Sequence, residues 1–159
     1  MFGFFKKYDA HLCSAVSGRI LDNGKPVVGV KVERQLYYID DKKRKDSTLT
    51  DESGCFSLPE VNIRSKAPGW LFCEQFTKQF IWVNTQNRHY VLWEGKLASI
   101  EPIAAYDNKL AQLNADLKDP EVFFHFINDE SPHMMHRATS ICRWDTDYEI
   151  HHIIEDEII

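Results

Sequence analysis

The stretch LCSAVSGRILDNGKPVVGVKVERQLYY (residues 12–38), followed after a polar link by STLTDESGCFSL (residues 47–58), determines the expected fold. Apolar residues recur at every second position in both parts, and this period places them on one face of a β-strand. The stretch therefore predicts several short strands rather than helices. The inward-facing residues are predicted to share one core: Val16, Ile20, Val30, Val32, Phe56 and Leu58.

Turn signals separate these strands. Asn23-Gly24 is the strongest short hairpin signal, because both residue types tolerate a positive φ angle. Pro26 suits the first residue of a strand, since proline has no N–H to donate. Gly29 interrupts a run in which Val28 would share the inward face, and it indicates a bulge or a close backbone approach. The segment 51–54 (Asp-Glu-Ser-Gly) predicts the next turn.

This arrangement resembles the carboxypeptidase-regulatory-like, or transthyretin-like, β-sandwich domains. Their motifs are a Gly-x-Pro turn, a Val-x-Gly-Val-x-Val strand and a Thr-Asp-x-x-Gly-x-Phe-x-Leu turn and strand. The matching residues are Gly18, Ile20, Gly24, Pro26, Val27, Gly29, Val30, Val32, Thr50, Asp51, Gly54, Phe56 and Leu58. The resemblance covers the first third of the chain and implies a mainly β, Ig-like sandwich. The chain is also similar to a small group of bacterial cytosolic proteins with this sandwich, which partner toxins of contact-dependent or type VI secretion systems.

Composition narrows the class of protein. The chain has 159 residues, of which 43% are hydrophobic and 13% aromatic, and this is sufficient for one folded domain. A net charge of −5 implies no broad affinity for nucleic acid or membranes. The apolar stretch in the first ten residues, MFGFFKKYDA, is too short for a signal peptide and is interrupted early by charged residues. We therefore expect a cytoplasmic location. In that reducing compartment the four cysteines are expected to be buried thiols: Cys13, Cys55, Cys73 and Cys142.

We expect three parts along the chain: an N-terminal lead (1–10), the β-sandwich domain (11–118) and a C-terminal extension (119–159) packed on or beside the sandwich. The basic run Lys42-Lys43-Arg44-Lys45 falls in the polar link between strands. Its two interpretations are a solvated loop tip and a contact for phosphate or an acidic partner, and the first is favoured because no aromatic residues are interleaved.

The middle of the chain predicts a hairpin. Phe76, Phe80 and Trp82 have the same parity, and the return strand includes His89–Trp93 after a turn at residues 85–87. Aromatic strands usually supply a core, whereas an exposed row of aromatics would form a binding face. The sequence does not distinguish between these two interpretations.

Residues 104–117 fit a helix and a strand equally well. Because a sandwich needs a closing strand, we expect a strand over Ala111–Leu117. In the last third, the patterns predict a strand over Val122–Ile127, a short helix over His133–Arg137 and a strand over Ile141–Trp144.

The C-terminal tail carries the net charge. Residues 145–159 contain no Lys or Arg, and removing their six acids from the total of 24 leaves 18 acids against 19 basic residues. Isoleucines are interleaved with these acids, so the tail is expected to dock either on the sandwich or on a partner with a basic surface. The predicted partner-binding residues are Asp145, Asp147, Glu149, Glu155, Asp156 and Glu157.

The sequence gives little indication of a catalytic or metal site. His133 and His136 would share a face of a helix, but no third ligand follows at a set spacing. No cysteine has a base at a characteristic spacing, and the chain has no GxSxG, Walker or GxGxxG motif. The transthyretin-like family includes enzymes that hydrolyse 5-hydroxyisourate, but their C-terminal Tyr-Arg-Gly-Ser signature is absent. We therefore predict no catalytic residue, no metal site and no cofactor.

These observations favour a non-enzymatic, protein-binding role. The resemblance implies an immunity protein that neutralises a cognate secreted toxin by occlusion. The charge of the chain predicts no nucleic-acid or membrane partner. One alternative is an adaptor or chaperone for a secreted effector. The alternative from another class is a small hydrolase or metal-dependent enzyme without a recognised motif.

Overall fold

The computed structural model describes residues 6–86, 88–144 and 149–151. The protein is mainly β, and its antiparallel sheets form a sandwich-like arrangement with a C-terminal extension. None of the helices in these ranges is long and apolar enough to cross a membrane. The elements in chain order are β1 (Tyr8–Cys13), β2 (Val16–Asp22), β3 (Lys25–Pro26), β4 (Lys31–Tyr38), β5 (Lys43–Leu49), β6 (Cys55–Leu58), β7 (Val61–Ser65), a 3-10 helix (Ala67–Gly69), β8 (Thr77–Asn84), β9 (His89–Leu97), α1 (Ala104–Leu110), β10 (Ala115–Asp116), β11 (Val122–Phe126), β12 (His136–Ser140) and β13 (Glu149–His151).

The largest sheet has seven strands in the order β13-β11-β12-β9-β8-β4-β5. A smaller sheet has the order β10-β2-β3, with β6 also paired to β2, and β1 pairs with β7. The described pairings are antiparallel except for β10 with β2, which is parallel. The C-terminal extension therefore lengthens the large sheet, since β11 to β13 continue it beyond β9.

The predicted core is confirmed. Five of its six members are buried, and Val30 is half-buried against the same cluster. The large sheet contributes the inward-facing residues of β4 and β8 to this core. A hydrogen bond also joins the large sheet to β1: the buried Gln79 side chain in β8 donates to the carbonyl oxygen of Leu12 at 2.9 Å.

The Asn23-Gly24 hairpin is also confirmed, with φ angles of 50° and 80°. The backbone N–H groups of both residues donate to the Asp116 carboxylate at 2.9 Å. Backbone N–H groups, first that of Lys118, lower the pKa of Asp116 from its ordinary value, because they stabilise the charged form.

The valine run is not one strand. β3 ends at Pro26, Gly29 has φ 70°, and β4 begins only at Lys31. Val28 is consequently 60% exposed, and the prediction that it shares the inward face was wrong.

The basic run does not lie at a loop tip. Lys43, Arg44 and Lys45 belong to β5, an edge strand of the large sheet. The inward-facing Asp46 of this strand accepts two hydrogen bonds from the buried guanidinium of Arg34, from Nε at 2.9 Å and Nη2 at 2.5 Å. A buried arginine is stabilised by such a bidentate pair, and this pairing explains why so polar a segment forms a strand.

The strand expected over Ala111–Leu117 is present only in part. It is limited to β10, and α1 ends at Leu110, just before the predicted range. This range packs closely on β2: a Cβ added to Gly18 would lie 2.1 Å from the carbonyl oxygen of Leu113. The strand over Val122–Ile127 is confirmed as β11. The predicted helix over His133–Arg137 and strand over Ile141–Trp144 were wrong, because β12 occupies His136–Ser140, after a turn, and an irregular segment follows it.

Candidate functional site

Of the six predicted tail residues, the structure describes only Glu149. It begins β13, and its backbone pairs with that of His125 in β11. The other five lie outside the described residues: Asp145, Asp147, Glu155, Asp156 and Glu157.

The hairpin of β8 and β9 is confirmed, and the structure determines where its aromatic row lies. Thr77, Gln79, Ile81 and Val83 are buried on the inner face of β8. Phe80 and Trp82 therefore lie on the outer face, where both are half-buried. The aromatic residues of this strand form a surface rather than the core.

Lysines and aromatic side chains alternate at one end of this outer face. The rings of Tyr37 and Phe80 meet edge to face with centroids 5.9 Å apart. The Lys43 ammonium lies 5.9 Å from the centroid of Tyr37, and that of Lys96 lies 4.4 Å from the centroid of Phe76. A depression of about 510 Å³ lies among them and is lined by Tyr37, Tyr38, Ile39, Asp41, Phe76, Lys78 and Phe80.

A second apolar feature precedes β8. Trp70, Leu71 and Phe72 are 40%, 69% and 104% exposed. Phe72 has φ 61°, a left-handed conformation that is rare for an aromatic residue. We name residues 70–72 the apolar loop.

The apolar loop is held at both ends. Its first N–H, from Trp70, donates to the carbonyl oxygen of Ala67 at 3.0 Å. Beyond it, the Gln75 amide donates to the same oxygen at 3.2 Å and accepts from the Tyr38 hydroxyl at 2.8 Å. These bonds join the loop to β4, so its exposed side chains extend from an ordered base.

The two candidate metal ligands lie in different surroundings. His133 is exposed, whereas His136 is half-buried, with its ring 5.0 Å from that of Tyr106. Burial lowers the pKa of His136, although Glu130 and Asp129 oppose the shift. Within residues 6–86, 88–144 and 149–151, the structure contains no group of three residues that could hold a metal ion.

The cysteines do not share one environment. All four are free thiols; Cys13 and Cys142 are buried, whereas Cys55 and Cys73 are exposed, so the prediction of four buried thiols was wrong. Burial raises the pKa of Cys13 to about 11 and that of Cys142 to about 12. Both remain protonated near neutral pH, which is unfavourable for a nucleophile.

One polar cluster was not predicted from the sequence, and its outline is that of a hydrolase triad. His11 Nε2 lies 3.1 Å from Ser14 Oγ, and His11 Nδ1 lies 3.1 Å from Glu60 Oε1 and 2.8 Å from Asn62 Oδ1. The Ser14 hydroxyl donates to a carboxylate oxygen of Asp107. No short motif links residues so far apart in the chain, and only the fold brings them together.

The hydrogen bonds of this cluster indicate a structural role. A hydroxyl has one proton, and that of Ser14 goes to Asp107 rather than to His11. A general base would have to accept this proton, so His11 does not activate the serine in this arrangement. Both side chains are also buried. The cluster joins β1, α1 and the segment between β6 and β7.

Comparison with known proteins places the chain in a family. The sequence model of the family described as "Domain of unknown function (DUF6795)" matches residues 16–120, which is more than half of the chain. The chain belongs to the DUF6795 family. The matched range runs from the start of β2 to just before β11 and contains the apolar loop and the outer face of β4, β5, β8 and β9. No curated protein matches the chain. No solved structure matches it either.

Proposed function

We propose that this DUF6795 protein is a non-enzymatic protein-binding module. In its most concrete form, it is a cytoplasmic immunity protein that neutralises a cognate bacterial secreted toxin by occlusion. The observation that carries the binding role is the apolar loop, where three consecutive large apolar side chains are exposed.

Exposed apolar side chains of this size favour a protein partner. Tryptophan is enriched among the residues that dominate binding energy at protein interfaces, and such residues anchor in pockets of the partner. The hydrogen bonds of Gln75 and Trp70 fix the base of the loop before binding. Less conformational entropy is then lost when the partner docks.

The toxin is proposed on other grounds. The first 58 residues resemble the transthyretin-like sandwich, and the chain is similar to the secretion-linked immunity proteins that use it. The acidic tail supports this role, since residues 155–157 (Glu-Asp-Glu) would be attracted to the basic cleft of a toxin that acts on nucleic acids or nucleotides. An adaptor or chaperone for a secreted effector would use the same surfaces, but it would leave the effector active.

A protection assay tests this proposal. The chain is co-expressed with a candidate toxin encoded beside its gene, and growth is recorded for the wild type and for a variant with Leu71→Ala and Phe72→Ala. We expect the wild type to restore growth and the variant to lose most of this protection at an unchanged melting temperature.

A matched control removes apolar surface elsewhere. Val28 and Ile127 are 60% and 53% exposed, and their replacement by alanine should leave protection intact. Equal protection by the loop variant and the wild type would show that the apolar loop is not the docking site. If the wild-type chain fails to restore growth against every toxin encoded nearby, the immunity role is contradicted.

A further inference from the structure

Basic side chains form a row across the outer face of the large sheet. Tyr37 in β4 pairs with Lys43 on one side and with Lys78 on the other, and Lys78 pairs with Lys96 in β9. In β12, Ala138 pairs with Gly95, so the exposed Arg137 beside it continues the row. We name Lys43, Lys78, Lys96 and Arg137 the cationic band.

The cationic band is unfavourable for the fold itself. Like charges placed directly opposite each other on neighbouring strands are destabilising, and Lys78 and Lys96 are such a pair. Within the described residues, no carboxylate lies within ion-pair distance of Lys43 or Lys78. Lys96 forms an ion pair with Glu74, in which Nζ lies 3.2 Å from Oε1, and both side chains are exposed. Exposed pairs of this kind contribute little.

The aromatic depression lies on the same row. Its lining includes Lys78 of the cationic band, the aromatic residues Tyr37, Phe76 and Phe80, and one acidic residue, Asp41. An apolar side chain inserted there would contact these rings while its neighbours remain beside the lysines. The surface therefore combines a cavity for an anchor with a positive rim.

We propose that this surface binds an acidic polypeptide segment that carries an aromatic or large aliphatic anchor. The inference rests on the proposed protein-binding function and adds the chemistry of the partner at this surface. The anchor occupies the depression, and carboxylates on either side of it pair with Lys43, Lys78 and Lys96. The electrostatic complementarity orients the segment across the strands of the sheet.

One feature favours a polypeptide over single-stranded nucleic acid. Bases bind such sheets by stacking on exposed ring faces, but the ammonium groups of Lys43 and Lys96 already lie against Tyr37 and Phe76. Two carboxylates restrict where an acidic segment can lie on this face: Asp41 lines the depression, and Glu33 accepts the indole N–H of Trp82 at 3.1 Å. Because they repel any anion, the segment must lie along the lysines.

Fluorescence anisotropy with defined probes tests this proposal. The probe is a labelled twelve-residue peptide of repeated Glu-Glu-Phe, and the two comparison probes are the corresponding Lys-Lys-Phe peptide and a twelve-nucleotide oligothymidylate. The band variant carries Lys43→Ala, Lys78→Ala and Lys96→Ala. The control variant makes the same charge change away from the band, at Lys7, Lys25 and Lys118.

We expect the Glu-Glu-Phe peptide to bind the wild type and the control variant alike. The band variant should bind it at least about threefold more weakly, because it loses three exposed ion pairs of about 0.2–1 kcal/mol each. No binding of this peptide, equal weakening in both variants, or tighter binding of the oligothymidylate would each overturn the proposal. Because no toxin is present, this result is independent of the protection assay.

Discussion

Lys78 and Lys96 occupy directly paired positions on β8 and β9, so two ammonium-bearing side chains project side by side from the outer face of the large sheet. The same two strands bury Ile81 opposite Trp93 on the inner face. The inner face thus serves the stability of the fold, whereas the outer face keeps a repulsion that stability alone would remove. This contrast supports a binding role for the outer face.

Reversing one of these charges is predicted to stabilise the protein. Lys78→Glu places a carboxylate opposite Lys96, and an opposite-charge pair across two strands contributes roughly 0.2–1 kcal/mol relative to a neutral pair. Urea denaturation should show a higher free energy of unfolding, and the gain should shrink at high salt. Lys7→Glu is the control for a charge change at an exposed site. A Lys78→Glu protein no more stable than this control would contradict the cross-strand repulsion.

The polar cluster around Ser14 is predicted to stabilise the fold and not to react. Asp107→Asn replaces the charged acceptor of the Ser14 hydroxyl by a neutral amide oxygen, and because hydrogen bonds to charged groups are the stronger ones, we expect a loss of roughly 1 kcal/mol. Thermal denaturation should show this loss, whereas Asp22→Asn at an exposed position should show almost none. A fluorophosphonate probe should leave Ser14 unlabelled; stoichiometric labelling of Ser14 would instead identify a hydrolase.

Stability is predicted to fall at alkaline pH. Burial raises the pKa of Cys13 to about 11 and of Cys142 to about 12, from 9.0 for an unperturbed thiol. Above pH 9 the unfolded chain loses these protons while the folded protein keeps them, so rising pH favours unfolding until the folded pKa is passed. Each thiol contributes a slope of up to about 1.4 kcal/mol per pH unit.

Denaturant titrations between pH 8 and pH 11 measure this dependence. A variant with Cys13→Ala and Cys142→Ala should be less stable at pH 8 but should lose less stability as the pH rises. The matched control replaces the exposed thiols, Cys55 and Cys73, and should keep the wild-type slope. Identical slopes for all three proteins would show that the buried thiols do not titrate as their burial requires.

The acidic tail is predicted to accelerate association with the proposed toxin. Glu155→Gln, Asp156→Asn and Glu157→Gln together should lower the on-rate without changing the melting temperature, and the difference should disappear at high salt as charges are screened. Neutralising Glu52, Glu101 and Glu121 is the control. If the tail variant associates as fast as the wild type at every salt concentration, the tail serves only the structure.

Much of the fold was predictable because local signals agreed with the final packing. The φ angles that Asn23-Gly24 favours are those the turn adopts, and five of the six predicted core residues are buried as their spacing indicates: Val16, Ile20, Val32, Phe56 and Leu58. The last third of the chain was less predictable. β12 carries a buried Ala138 and Ser140 between polar residues, and such small side chains give a weak alternation signal.

The surfaces were harder to predict, because they depend on pairings between distant residues. The sequence of β5 is that of a polar link, since its inward-facing Asp46 is half-buried and pairs with the buried Arg34 rather than with an apolar core. Only the register of β5, β4, β8 and β9 then brings Lys43, Lys78 and Lys96 into one row. Parity alone correctly grouped Phe80 with Trp82, but it did not say which face of the sheet was outside.

The most direct test of the central claim is the stoichiometry with which the purified chain inhibits the proposed cognate toxin. A fixed amount of toxin is titrated with the chain, and the residual toxin activity is measured at each ratio. Neutralisation by occlusion predicts that activity falls in proportion to the added chain, reaches zero at one equivalent per binding site, and returns when the complex is dissociated. Irreversible loss of activity at far less than one equivalent would show turnover, and it would contradict a non-enzymatic binding module.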